Sequence, residues 1–202
     1  MGIQSIRRVI ADAAAADEGS LRQYFEGMMD MLDARLELPA DDPAGALVTF
    51  TRRYIEYVPE FLELIRARSR ALGIEQQAAP YLNLAEDFFL APPVDLEGES
   101  GLHALLDEAF LAQRLIEEVN DRLSGASGQR LVDTDMTRAN IIAHHLVGEP
   151  LATRLELLVE QSLGLVEQHA RLFSKAGVDA GEGSGSGTLP CMSREVAVDL
   201  RL

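Results

Sequence analysis

Tryptophan is absent from this chain, aromatic residues of every kind make up only 5% of it, and there is a single cysteine, Cys191. With so few rings, Ala and Leu must fill the core, and they favour helices packed on helices over sheets. One thiol closes no internal disulfide, and no cysteine cluster exists to hold zinc. A reducing cytoplasm is the expected compartment. No His or Lys adjoins Cys191, and the nearest basic residue is Arg194, so nothing in the sequence activates that thiol. Basic residues are scarce, 18 Lys and Arg against 33 Asp and Glu, which gives a formal net charge of -15. A surface that acidic repels phosphate backbones and excludes a general nucleic-acid binder. No apolar run reaches the roughly 20 residues of a membrane span. Arg7 and Arg8 interrupt the would-be apolar region of a signal peptide. Ile6 stands where a myristoylation pattern needs Ser or Thr.

What is present is a chain of 202 residues, 47% apolar, enough for one substantial core. Ile3, Ile6, Val9, Ile10 and Ala13 fall on one face of a helix predicted over 3–16. Such a short basic amphipathic helix can lie on a membrane, but packing on its own domain is the simpler expectation. Ser20 is suited to cap a second helix over 21–38 that carries Tyr24, Phe25, Met28, Met29 and Met31 and ends at Pro39. Asp42-Pro43 is the cleanest helix start, since Asp caps and Pro at the first position wastes no hydrogen bond. That helix is expected to run to Leu72, to kink or restart at Pro59, and to stop at Gly73. Pro80, Pro92 and Pro93 break the next stretch and leave a short helix over 81–90, whose Phe88-Phe89-Leu90 plugs the core.

Ser100 is expected to cap a helix over Leu102, Leu105, Ala109, Ala112, Ile116, Val119 and Leu123. That three-four spacing makes a seam for an antiparallel helix. Asp133 or Thr134 opens a helix that Gly148 closes, and Pro150 starts another to about Ala176. From Gly177 the composition turns to GEGSGSGT, a flexible linker by composition. The last residues alternate, with Val196, Val198, Leu200 and Leu202 on one side, which is strand periodicity without a strand in the chain to pair with. They are expected to be disordered or to add to an edge in another chain. The fold class is therefore all-α, a multi-helix bundle of about six helices. One helical domain spans 1–177 and a flexible linker and tail span 178–202.

No catalytic or cofactor motif stands out. His144 and His145 are adjacent, so on a helix their side chains diverge by about 100 degrees and cannot share one ion. There is no paired Glu-x-x-His and no His-Glu-x-x-His, so neither a metal nor a cofactor is expected. Asn140 and His144, one helical turn apart, form the best polar pair, and an imidazole there is suited to acid–base work. Arg66, Arg68 and Arg70, with Arg52 and Arg53, are expected to pair with acids such as Asp107, Glu117 and Glu118. The leading functional expectation is a non-enzymatic helical binding protein for a protein partner or a small apolar ligand, self-associating as a homodimer. Its ligand-binding residues are Asn140, His144, Tyr54 and Met28. The alternative is a metal-dependent or His-based enzyme with Asn140, His144 and Glu108 or Tyr54 converging in one pocket.

Overall fold

A computed structural model of the chain describes residues 2–17, 19–32, 34–92, 101–127, 131–132, 134–174 and 198–201. Ser100, Asp133, Cys191 and the 178–197 stretch lie outside them. Seven helices are described: α1 (Ile3–Ala16), α2 (Ser20–Leu32), α3 (Pro43–Ala71), α4 (Glu75–Leu90), α5 (Leu102–Ser127), α6 (Thr137–Val147) and α7 (Leu151–Ser174). Two short strands, β1 (Leu36–Glu37) and β2 (Asp199–Leu200), pair antiparallel. None of the described helices is long and apolar enough to cross a membrane.

Local chemistry sets several boundaries. Asp42 accepts from the Gly45 amide at 3.1 Å, with Pro43 at the first position of α3. Gly73, at φ +71°, closes the same helix, and the Ile74 amide reaches back to the Ser69 carbonyl at 2.9 Å. That left-handed turn is the usual glycine stop. At the start of α2 the capping acceptor is Asp17 and not Ser20. The Asp17 carboxylate takes both the Ser20 hydroxyl and the Leu21 amide.

Elsewhere packing overrides local preference. The third helix is continuous across Pro59. Close to that proline, buried Gln113 donates to the Tyr54 carbonyl at 3.2 Å. Helix α4 begins at Glu75, well before Tyr81, and carries Pro80 inside it. Pro80 removes the hydrogen bond to the Gln76 carbonyl, but Gln76 is exposed and water can take its place. Helix α2 ends at Leu32, short of the expected Leu38, and the chain extends into β1.

The core is centred on α5, which packs against α1, α3, α4, α6 and α7. Its expected seam is buried from Leu102 to Val119, and so are Leu106, Phe110, Leu111 and Leu115 on other faces. A helix buried on nearly every face, polar positions such as Gln113 and Asn120 included, is an interior helix. The seam is thus spent inside the monomer and gives no support to a homodimer. Ile6 of α1 is fully buried, with Ile3, Ile10 and Ala13 packed against the core. The amphipathic face of α1 therefore packs on its own domain. Phe88 and Phe89 enter the core as expected.

The C-terminal segment corrects the tail expectation, because it pairs within its own chain. Leu36 faces Leu200 and Glu37 faces Asp199. The Arg201 amide donates to the Arg35 carbonyl at 3.0 Å, Val198 is 1% exposed, and Asp199 forms an ion pair with Arg138 of α6. Two residues of pairing carry little weight alone; the buried valine and the ion pair add to them.

Candidate functional site

Asn140 and His144 lie one turn apart on α6, which packs against α5 and turns at Gly148 into α7. The Gly148 amide returns to the His144 carbonyl at 2.9 Å. This tight turn carries Glu149 and brings Glu156, near the start of α7, alongside His144.

Behind the site runs a buried chain of hydrogen bonds. The Tyr54 hydroxyl of α3 donates to Asn140 Oδ1 at 2.6 Å, and Asn140 Nδ2 donates to Glu117 Oε2 of α5 at 2.6 Å. The amide orientation is fixed by Glu117, because a reversed Asn140 would set its oxygen against a carboxylate. The Thr137 hydroxyl donates to Glu117 Oε1 at 2.5 Å, and Arg114 holds the same carboxylate from one turn before it. Burial pushes the Tyr54 hydroxyl well above its ordinary value, and the Glu117 charge pushes it further. Tyr54 therefore remains a neutral donor.

In front of that chain lies an open cleft of about 420 Å³. Arg114, Thr137, Asn140, Ile141, His144, His145 and Glu156 line it. Arg114 faces three carboxylates. It bonds Glu117, and it lies 3.7 Å from Glu118 and 3.6 Å from Glu156. His144 lies between two more contacts, Nδ1 at 3.3 Å from Glu156 and Nε2 at 2.9 Å from Glu149. Both can be hydrogen bonds at once only for the doubly protonated ring. The Glu149 carboxyl is held below the usual carboxylate range by Thr153 first, then by His144.

The sequence-expected residues separate into two groups. Tyr54, Asn140 and His144 are brought together, Tyr54 and Asn140 buried and His144 half-buried at the cleft. Met28 is not among the cleft residues; it is half-buried and packs against the core. Glu108 lies outside the cleft too, beside Asp107 on α5. The basic cluster pairs with acids, but with others than expected. Arg52 meets Asp17, Arg53 meets Glu56, Arg66 meets buried Glu86, and Arg70 meets Glu75.

Glu117, Glu156 and Arg114 went unrecognised as site residues. The Arg114–Glu117 spacing was readable as a helical ion pair, whereas Glu156 reaches His144 only through the packing of α7. The imidazoles of His144 and His145 are 5.9 Å apart and nearly perpendicular, as their adjacency dictates. The two carboxylates on His144 sit at opposite ring nitrogens, so they do not converge on one ion. Among the described residues no group of three His, Cys, Asp or Glu is arranged to hold a metal. Among them too, the hydrogen-bonding partners of His144 are the two glutamates and no hydroxyl nucleophile. Comparison of the chain with protein-family models, with curated proteins and with solved structures gives no match.

Proposed function

We propose that this is a binding protein for a small organic cation, held in the cleft between α5, α6 and α7. One observation carries the reading: four carboxylates, Glu117, Glu118, Glu149 and Glu156, crowd around one guanidinium, Arg114, and one imidazole, His144. Arg122 offsets part of the charge on Glu118. With a neutral imidazole the cluster is still short of positive charge, and an ammonium or amidinium ligand would supply it. Ile141, 41% exposed at the cleft, offers an apolar surface for the body of such a ligand. Of the four carboxylates Glu156 lines the cleft itself, beside Arg114 and His144, and the other three stand behind those two groups. A lining with charged groups favours an amphipathic ligand over the purely apolar one expected from sequence.

The test is calorimetric titration with primary alkylammonium ions, from ethyl to hexyl, against the matching alcohols. Saturable binding of the amines, absent for the alcohols and weakened at least about tenfold in Glu156→Gln, supports the reading. Equal response to alcohol and amine, or an unchanged constant in the variant, refutes it.

A second reading, an enzyme using His144 as a general base, draws on Glu156 at Nδ1. A carboxylate there orients an imidazole for proton transfer. Glu149 at Nε2 occupies the nitrogen such a base would use, so binding is the better-supported reading.

A further inference from the structure

The histidine pair also lines a second, smaller hollow of about 100 Å³, where Arg35 and His145 meet beside Met31, Leu32, His144, Gly148 and Glu149. We propose that this hollow is an oxyanion subsite, taking a carboxylate or phosphate group between Arg35 and His145.

Arg35 stands apart from most arginines of this acidic chain. Ion pairs to a carboxylate are made by Arg7, Arg22, Arg52, Arg53, Arg66, Arg70, Arg114, Arg122 and Arg138. Arg35 makes none among the described residues. Its guanidinium faces His145 Nδ1 at 3.4 Å instead. In the neutral tautomer that carries its proton on Nε2 that nitrogen is an acceptor and the contact is a long hydrogen bond. Once the ring is protonated, two donors face each other, and only an acceptor between them satisfies both. A planar oxyanion is the natural acceptor for a guanidinium fork. The His145 imidazole is held below its ordinary value by burial first, then by Arg35 and His144. A bound anion would reverse the effect of Arg35.

The fold holds Arg35 in place. Its carbonyl receives the Arg201 amide from the C-terminal segment, and β1 follows at once. The charged and titratable groups facing His145 are Arg35 and His144, with Glu149 on the rim of the hollow. Among the described residues Glu149 is the one opposing charge lining the hollow. It is engaged by His144 and by the Thr153 hydroxyl at 2.9 Å, so it is turned to partners other than Arg35. The subsite needs only Arg35 and His145, and it stands or falls independently of the cation reading.

The experiment follows the imidazole nitrogens of His144 and His145 by NMR in the full chain at pH 6, with signals assigned through His145→Gln. Sodium phosphate and sodium acetate are titrated separately at constant ionic strength, with chloride as the balancing anion. A saturable shift of the His145 signals with either anion is expected, and the arm that saturates at lower concentration identifies the oxyanion. The dissociation constant should rise at least about tenfold in Arg35→Gln and fall in Glu149→Gln. Affinity should also weaken as pH rises through the His145 titration, because the anion favours the imidazolium. Dispersed backbone spectra of each variant establish that it is folded. No saturation with either anion in the wild-type chain, or the same curve in a folded Arg35→Gln, overturns the proposal.

Discussion

Helix α5 carries two adjacent carboxylate pairs, Asp107-Glu108 near its start and Glu117-Glu118 a few turns on, and the fold treats them in opposite ways. Glu117 sits in a full set of donors from Arg114, Thr137 and Asn140. Asp107 is 7% exposed, and no cation pairs with it or with Glu108 among the described residues. Burial pushes the Asp107 carboxyl up to about 7, and burial with the Asp107 charge pushes Glu108 up to about 7. The nearby His103 ring, tilted against Tyr24 with centroids 3.7 Å apart, is driven down to about 4 by burial. Near neutral pH it brings no charge to that end of the helix. Asp107 and Glu117 are both buried, and what separates them is the set of donors that Glu117 has and Asp107 lacks among the described residues. Burial without donors disfavours the charged form of a carboxyl group.

The largest expected effect comes from breaking the satisfied end. Arg114→Met leaves Glu117, whose side chain is 11% exposed, without its guanidinium. A loss of about 3 kcal/mol in urea unfolding at pH 7 is expected. A loss below about 1 kcal/mol would mean that Thr137 and Asn140 suffice.

The strained end should respond in the other direction. An acid whose pKa is higher in the folded than in the unfolded chain holds an extra proton when folded, between the two values. Stability therefore falls as pH rises from about 4 to about 7 and is level above that. Asp107→Asn should stabilise the protein by on the order of 1–2 kcal/mol at pH 8 and by almost nothing at pH 4. Urea midpoints at the two pH values read this directly, and an equal effect at both would show that charge is not the cause.

Smaller changes sharpen the contrast. Thr137→Val removes one hydrogen bond to Glu117 and should cost about 1 kcal/mol by thermal unfolding. Glu118→Gln touches a carboxylate 36% exposed and 3.7 Å from Arg114, and a change under about 0.5 kcal/mol is expected. If Glu118→Gln matched Arg114→Met, the distinction between the two neighbours on α5 would collapse.

Both ends of α5 show where reading the sequence reaches its range. Asn140 and His144 share a stripe by helical spacing alone, whereas Tyr54 falls on the apolar face of its helix by the same spacing. Their partners were not recognisable. Glu117 is 23 residues from Asn140 and Tyr54 is 86, and no periodicity links positions on different helices. Met28 belongs to a methionine cluster suited either to an apolar partner or to core filling, and it is packed against the core.

What the sequence determined by itself is local. The all-α class, the span of α1, the start of α3 at Asp42-Pro43 and the stops at Gly73 and Gly148 follow from helix periodicity, capping and glycine φ. These depend on residues within a turn of each other, so the chain carries their cause in one place. Tertiary structure alone decided the early end of α2, the pairing of β1 with β2, the burial of α5 on nearly every face and the assembly of the cleft. Each depends on which distant surface excludes water from which side chain and supplies its hydrogen bonds, and that is a property of the packed molecule.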